Sequence, residues 1–191
     1  MPALSATSHC GCRGDLVKRV LVIGPCGAGK STASHALASR LSLPLYHLDQ
    51  MHWRAGWIEG SKEELVADLE PVLAGDRWII DGNYGSTMST RLERADTVFY
   101  LDFPIWLCLW RAIKRVWKWR GQTRPDMASG CPERFDREFF LYIASWNWAV
   151  RPRTERLLAA TEARVIRFKQ PSELAAFLEK LEPGNSGMTL N

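Results

Sequence analysis

The sequence predicts an α/β fold in three layers, with a five-stranded parallel sheet between two layers of helices. Two observations carry this prediction. Short runs rich in β-branched residues alternate along the chain with longer segments of helical periodicity, which is the pattern of parallel strands joined by helices. The length of 191 residues suits one domain of this kind and is short for two.

Five segments are predicted as strands of this sheet. The first, residues 18–24, reads KRVLVIG, and its apolar centre has no polar side, so we expect it to be buried on both faces. The other strands are predicted at residues 45–48, 77–80, 97–101 and 164–168.

Helical segments separate these strands. Pro44 closes the first helix, and Ser61 with Glu64 has the spacing of a capping box at the start of the second. Pro132 suits the first turn of the last long helix. The predicted helices are residues 31–41, 61–73, 104–119 and 133–150.

The domain organisation follows from these elements. We expect a single domain over residues 17–182, a flexible N-terminal arm over residues 1–16 and a flexible tail over residues 183–191. A polar stretch containing Gly and Pro lies between the last two predicted helices, at about residues 120–134, and predicts a mobile loop. We expect this loop to form a helical lid together with the helices on either side of it.

Composition excludes several classes of protein. With 46% hydrophobic and 24% charged residues, the chain is an ordinary globular protein and not a disordered one. No apolar stretch is long enough to span a membrane and no secretory signal is present, so we expect the cytoplasm and no membrane partner. The five cysteines lack paired CxxC spacing, which predicts reduced thiols.

The charge distribution indicates an anionic ligand. The net charge is only +4, but no acidic residue occurs between Phe103 and Pro125. The same stretch carries six basic residues: Arg111, Lys114, Arg115, Lys118, Arg120 and Arg124.

Residues 24–32, GPCGAGKST, carry the strongest motif. They fit GxxxxGK(S/T) and lie between a predicted strand and a predicted helix, as a phosphate-binding P-loop requires. We expect Lys30 to bridge the β- and γ-phosphates of ATP, Ser31 to hold a magnesium ion (Mg²⁺), and Thr32 to reach the α-phosphate. Nucleotide contacts are predicted for the whole loop: Gly24, Pro25, Cys26, Gly27, Ala28, Gly29, Lys30, Ser31 and Thr32.

Three predicted strands end in an aspartate, which parallel strands place at one edge of the sheet. Asp81 follows an apolar strand and is expected to reach Mg²⁺, the alternative being a turn-forming Asp-Gly pair. Asp49 is expected to orient an acceptor or take its proton, the alternative being a turn cap. Asp102 is expected to be structural.

An aromatic pair follows Asp49 along the chain. Trp53 and Trp57 are predicted to grip the ring of an acceptor, with core packing as the alternative, and Arg54 lies between them. His47 and His52 are expected to serve packing, because no third ligand of fitting spacing accompanies them.

These features together resemble the P-loop kinases of the adenylate kinase and shikimate kinase type. The resemblance rests on ADTVFYLDFP, residues 95–104, on the arginines that follow it, and on the P-loop. It implies a P-loop NTPase fold with strand order 2-3-1-4-5, ATP and Mg²⁺ as cofactors, and catalysis by Lys30, Asp81 and Asp49. It also implies that Arg111 contacts the nucleotide and that Arg115 stabilises charge on the transferred group.

More narrowly, HLDQMHW, WIIDGNY and TRPDMASGCPER look like the bacterial proteins labelled topology modulation or FlaR-related. Adenylate kinases continue Asp-Gly with Phe-Pro-Arg, whereas this chain has Asn83 and Tyr84, so Arg91 is expected to supply the contact with an acceptor phosphate. The predicted acceptor-binding residues are Asp49, Trp53, Arg54, Asn83, Arg91, Arg124 and Arg134.

Two functions are open at this point. The first is an ATP-dependent phosphotransferase acting on a nucleoside, a nucleotide or a similar small hydroxyl or phosphate compound. The alternative is a nucleic-acid-associated ATPase affecting DNA topology, whose basic, Trp-rich helix would meet phosphates and bases. Trp106, Trp110 and Trp117 share a stripe, as core residues do, and this favours the kinase.

Overall fold

The computed structural model describes residues 17–181 and shows the α/β fold. The arm expected at residues 1–16 and the tail expected at residues 183–191 lie outside the described residues. The strands are β1 (Arg19–Ile23), β2 (Leu45–His47), β3 (Trp53–Arg54), β4 (Ile58–Glu59), β5 (Trp78–Asp81), β6 (Thr97–Leu101) and β7 (Arg164–Phe168).

Five of these strands form one parallel sheet in the order β2-β5-β1-β6-β7. Counted among themselves along the chain, they have the predicted order 2-3-1-4-5. The strand β1 is therefore central, and the loop that follows it leaves the sheet at the carboxyl edge, between the ends of β5 and β6.

Eight helices accompany the strands in the described part of the chain. None of them is both long and apolar enough to cross a bilayer. The helices are α1 (Lys30–Leu41), α2 (Leu48–His52), α3 (Lys62–Ala74), α4 (Met88–Arg94), α5 (Ile105–Trp119), α6 (Arg137–Ala149), α7 (Arg151–Ala160) and α8 (Pro171–Lys180).

Two apolar clusters lie on opposite faces of the sheet. Val20 and Val22 of β1 belong to one cluster, with α1, α5 and α8, whereas Leu21 and Ile23 belong to the other, with α3, α4 and α7. Because successive side chains of a strand point to opposite faces, this alternation shows that helices cover both sides. The predicted three layers are confirmed.

Several boundaries differ from the sequence prediction. The predicted capping box is present, with Ser61 and Glu64 bonding each other's backbone N–H groups at the start of α3. The predicted helix 133–150 begins only at Arg137, because Asp136 accepts hydrogen bonds from the first-turn N–H groups and Pro132 lies in the preceding loop. The segment expected as a helical lid contains no helix itself; it is a turn-rich loop between α5 and α6.

The strands β3 and β4 pair antiparallel as a short hairpin that the sequence did not predict. The lid loop is fastened to this region by hydrogen bonds. Gln50 Nε2 donates to the Pro125 carbonyl at 2.7 Å, and the Gly56 N–H donates to the Gly130 carbonyl at 2.8 Å. The hairpin therefore holds the lid on the side of the molecule where β2 ends.

Candidate active site

The P-loop joins β1 to α1 in a tightly enclosed conformation. Gly24 and Gly27 have φ values of +143° and +84°. A Cβ atom at Gly24 would lie 2.5 Å from the Leu101 carbonyl oxygen, and one at Gly27 would lie 2.2 Å from the Cys108 carbonyl oxygen. Only glycine fits both positions, so the curl of backbone expected for phosphate binding is built into the packing of β6 and α5.

Lys30 opens α1 directly after this curl. Its Nζ atom lies 3.3 Å from the Pro25 carbonyl oxygen, so the ammonium folds back over the loop. No side chain caps the start of α1, and the first-turn N–H groups there remain available to an anion. The loop and Lys30 line a cleft of about 980 Å³, together with Ser31 and Thr32.

Asn83 holds the P-loop from the neighbouring strand end. Its side-chain Nδ2 donates to the Gly24 carbonyl at 2.8 Å, and its Oδ1 accepts the Gly24 N–H at 3.1 Å. Both functions of the amide are used by the P-loop backbone. Asn83 therefore shapes the nucleotide side of the cleft, and its contact with an acceptor stays a prediction, since the residue also lines the cleft.

The prediction that Arg91 contacts an acceptor phosphate is wrong. The side chain has no solvent exposure, and its guanidinium donates to the carbonyls of Gly82, Asn83 and Tyr84 and to the Thr87 hydroxyl. Burial lowers the pKa of Arg91 to about 9, which still leaves it charged at neutral pH. Arg91 therefore holds the loop after β5 through its backbone carbonyls, and its side chain does not line the cleft.

Asp81 ends β5 and lines the cleft, as predicted. One carboxylate oxygen, Oδ2, lies 2.9 Å from His47 Nδ1, and both side chains are buried. The other oxygen, Oδ1, is buried without a hydrogen-bond partner. A buried carboxylate oxygen without a partner is costly, and a bound cation would satisfy it.

The residues around Asp81 Oδ1 fit a hard cation such as Mg²⁺. Ser31 supplies a hydroxyl oxygen on the P-loop side of the same cleft, and oxygen is the ligand that Mg²⁺ prefers. His47, which the sequence assigned to packing, fixes the orientation of the Asp81 carboxylate through its ring nitrogen. The lid residue Asp126 lines the same cleft. Burial acts to raise the pKa of its carboxyl group, but the charge of Arg124 and a hydrogen bond with Ser31 outweigh burial and hold the pKa below the ordinary value.

Asp49 lies across the cleft from the P-loop. The Tyr84 hydroxyl donates to its Oδ1 at 2.8 Å. Removal from water raises the pKa of Asp49, while the hydrogen bond from Tyr84 and the charge of Lys30 act in the opposite direction. Burial also raises the pKa of Tyr84, so the phenol keeps its proton and remains the donor. A carboxylate with a raised pKa is suited to accept a proton from a hydroxyl group.

Trp53 and Trp57 form an aromatic wall in the cleft that also contains Asp49, and their contact with an acceptor ring stays a prediction. The rings of Trp53 and Trp57 meet edge to face with centroids 5.5 Å apart, and both residues line the cleft. The guanidinium of Arg134 lies over the Trp57 ring at 5.7 Å and has no acidic partner among residues 17–181. Arg54 does not join them: its side chain is exposed, turns toward Glu64 and Asp68 of α3, and does not line the cleft, which speaks against the predicted acceptor contact.

Two of the predicted arginines, Arg115 of α5 and Arg124 of the lid, form ion pairs with the same buried glutamate. Glu133 accepts from Arg115 at 3.1 Å through one carboxylate oxygen and from Arg124 at 2.7 Å through the other. Arg124 also pairs with Asp126 at 2.8 Å. Arg111 lies nearer the P-loop, where its Nη1 donates to the Ala28 carbonyl at 3.0 Å. All three arginines line the cleft, so α5 and the lid place positive charge opposite the phosphate site.

Sequence reasoning missed the acids that hold these arginines. Glu133 and Asp126 lie in the TRPDMASGCPER string, for which the sequence predicts a lid, but their ion-pair partners depend on how the loop folds back. Asp102 is paired with Arg151 and Arg167, in agreement with the structural role predicted for it.

Comparison with known proteins gives the fold. No family model matches the sequence, and no curated protein matches it either. Among solved structures, shikimate kinase from Acinetobacter baumannii, determined in complex with shikimate, is similar with a TM-score of 0.56 and 17% identity over 86% of this chain and 90% of that one. Shikimate kinase from Bacteroides thetaiotaomicron is similar with a TM-score of 0.54 and 17% identity over 86% and 96% of the two chains. The chain therefore has the P-loop kinase fold.

Proposed function

We propose that the protein is an ATP-dependent kinase that transfers the γ-phosphoryl group to a small-molecule acceptor. The observation that carries the proposal is the placement of Lys30 and Asp49 in one cleft, close enough for the lysine charge to act on the carboxyl group. A hydroxyl bound by Asp49 would face a γ-phosphate bound by Lys30. This is the arrangement that phosphoryl transfer needs, because catalysis is mostly positioning and charge neutralisation.

The nucleotide side of the proposed site comprises the P-loop, Lys30 and Arg111. Ser31 and Asp81 Oδ1 would hold Mg²⁺, which supplies charge neutralisation on the phosphates when bound. His47 keeps the Asp81 carboxylate oriented toward that position. Thr32 is proposed to contact the α-phosphate.

The acceptor side comprises Asp49, Trp53, Trp57 and Arg134. Asp49 binds the reacting hydroxyl and takes its proton, with Tyr84 holding the carboxylate in place. The aromatic wall suits a ring, and Arg134 suits an anionic group on the acceptor because no acidic side chain within the described stretch, residues 17–181, forms an ion pair with it. These features support a nucleoside, a nucleotide or a similar ring-bearing hydroxyl or phosphate compound.

The lid would protect the transferred group from water. Glu133 holds Arg115 and Arg124 together near the cleft, and the Trp57 Nε1–H donates to the Pro132 carbonyl at 2.9 Å. A residue of the acceptor wall thus fastens the lid. Closure excludes water from a γ-phosphate that would otherwise be lost to hydrolysis.

A nucleic-acid-associated ATPase affecting DNA topology is the other proposal left by the sequence. One reason for ranking it lower was wrong: Trp106, Trp110 and Trp117 are exposed and do not belong to the core. The kinase proposal is preferred because Asp49, Tyr84 and the aromatic wall form a second binding site in the cleft, and hydrolysis of ATP alone does not require one. The resemblance to topology-modulation proteins stays a prediction from sequence.

The proposal is tested by screening acceptors for ADP release. Nucleosides, nucleoside monophosphates, sugars and polyol acids are each added with ATP and Mg²⁺, and single- and double-stranded DNA form separate arms. We expect at least one small molecule to raise ADP release well above background. The variant Lys30→Ala should abolish that increase, whereas Lys62→Ala, at an exposed position on α3, should not. Stimulation by DNA alone would contradict the kinase proposal.

A further inference from the structure

The face of α5 that points away from the protein is apolar. Trp106, Trp110, Ile113 and Trp117 follow one another at spacings of four, three and four residues, which places them on one stripe of the helix. Their exposed fractions are 71%, 51%, 56% and 83%. With roughly 200 Å² for a Trp side chain, the stripe exposes about 500 Å². Exposed patches of this size mark interaction sites.

The charged residues that α5 itself carries beside this stripe are basic. Lys114 and Lys118 are exposed one turn of the helix apart, and every charged residue of α5 is basic. The Nζ atom of Lys114 lies 3.8 Å from the centroid of the Trp110 ring. The ammonium of Lys114 thus lies on the Trp110 ring, in a cation–π contact that brings positive charge onto the stripe itself. A partner for the stripe must therefore combine apolar material with negative charge.

The stripe also faces away from the cleft. Arg115 lies on the opposite side of α5, where its guanidinium packs over the Phe139 ring of α6 at 5.1 Å. A partner on the stripe would leave the P-loop and the acceptor wall open. The stripe is therefore separate from the proposed active site.

The dimensions and charge disfavour a second copy of the chain. Two copies of the stripe would bury only about 1,000 Å² in total, the lower limit for a specific protein interface. They would also bring together helices whose charges are all positive. The stripe covers only about two heptads, which is short for a coiled-coil seam.

The side chains fit a lipid surface better than stacked bases. Stacking needs free aromatic faces, but Lys114 occupies one face of Trp110, and Ile113 in the middle of the stripe offers no ring. A flat bilayer engages all four apolar side chains at once. Trp residues favour the headgroup region, and lysines beside them reach anionic headgroups.

We propose that the α5 stripe docks the protein on an anionic lipid bilayer, with α5 lying in the plane of the interface. This proposal departs from the expectation of no membrane partner drawn from the sequence. It agrees with the described helices, none of which is long and apolar enough to cross a bilayer, because α5 would lie on the surface.

The test is co-sedimentation of the whole protein with lipid vesicles. Vesicles of phosphatidylglycerol and phosphatidylcholine in equal parts are compared with phosphatidylcholine alone, at low and high salt. We expect binding to the anionic vesicles that weakens with salt. The double variant Trp106→Gln/Trp117→Gln should lose at least tenfold in affinity, and Lys114→Gln/Lys118→Gln about fivefold for each lysine removed. The ATPase or kinase rate without vesicles should be unchanged in both.

Trp148→Gln is the matched control. Trp148 is 72% exposed, as Trp106 is, but lies on α6 on the side of that helix opposite Phe139. Its loss should leave vesicle binding unchanged. Equal binding to neutral and anionic vesicles, or an equal loss in Trp148→Gln and the double α5 variant, would overturn the proposal. So would salt-sensitive binding of single-stranded DNA, or dimerisation at micromolar concentration, that requires Trp106 and Trp117 while vesicles do not bind.

Discussion

Replacement of Arg91 by leucine should destabilise the protein strongly, although Arg91 is not expected to touch a substrate. The guanidinium is fully buried and donates to three carbonyls in a row, those of Gly82, Asn83 and Tyr84. These hydrogen bonds fix the backbone of the first two residues after β5 in the conformation in which the Asn83 side chain bonds to the P-loop. Tyr84 in turn keeps its hydroxyl on Asp49.

The size of the effect follows from these contacts. Each buried carbonyl left without a donor costs about 1–3 kcal/mol. Leucine also removes a buried cation, which offsets part of this cost, so we expect a net loss of about 3–5 kcal/mol for the three carbonyls together. For a chain of this length, 1 kcal/mol shifts the Tm by about 2–4 °C, so the Tm should fall by roughly 10 °C.

The assay compares Arg91→Leu with Arg94→Leu by thermal unfolding. Arg94 is exposed on the same helix and has no ion pair among residues 17–181, so its replacement should change the Tm by no more than about 1–2 °C. The reasoning is refuted if Arg91→Leu keeps the wild-type Tm and only raises the KM for the acceptor. That result would return Arg91 to the acceptor site.

Three further predictions concern the reaction itself. Tyr84→Phe removes a hydrogen bond that lowers the pKa of Asp49, so the acidic limb of the pH profile of kcat/KM should move to higher pH. Asp49→Asn should abolish that limb, and a limb that does not move in Tyr84→Phe would contradict the role of Asp49 as base. Arg115→Ala should lower kcat by about 100-fold and leave the KM for ATP within about threefold, and the reverse pattern would show that Arg115 only binds nucleotide. An ATP analogue with an acceptor should slow trypsin cleavage within residues 120–134, and cleavage at the same rate with and without ligands would show that the lid does not close on them.

The P-loop and the sheet could be predicted from sequence because their signals are local. The spacing of Gly24, Gly27 and Gly29 before Lys30 defines the loop, and the apolar runs of the strands identify a sheet buried on both faces. Asp81 followed from its position at the end of β5, whereas Asp49, predicted to follow a strand directly, lies in the first turn of α2. The resemblance to P-loop kinases then supplied the strand order.

The parts that failed depend on which way a side chain turns. Arg91 and Arg54 are both arginines near the predicted acceptor site, yet one is buried under backbone carbonyls and the other points to α3. The Trp residues of α5 have the spacing of a core stripe, but α5 packs through Cys108, Ala112 and Val116 instead. Periodicity identifies a stripe and does not say which of two stripes is covered, because that depends on contacts far apart in sequence.

The central claim is that one cleft holds both ATP and an acceptor and passes phosphate between them. It is tested most directly by a single-turnover experiment with ATP labelled in the γ-phosphate, enzyme in excess, and an acceptor found in the screen. The account predicts that the label moves to the acceptor, that Lys30→Ala prevents this transfer, and that Asp49→Asn slows it strongly without abolishing it. Label recovered only as inorganic phosphate, with every acceptor and in both the presence and absence of DNA, would contradict it.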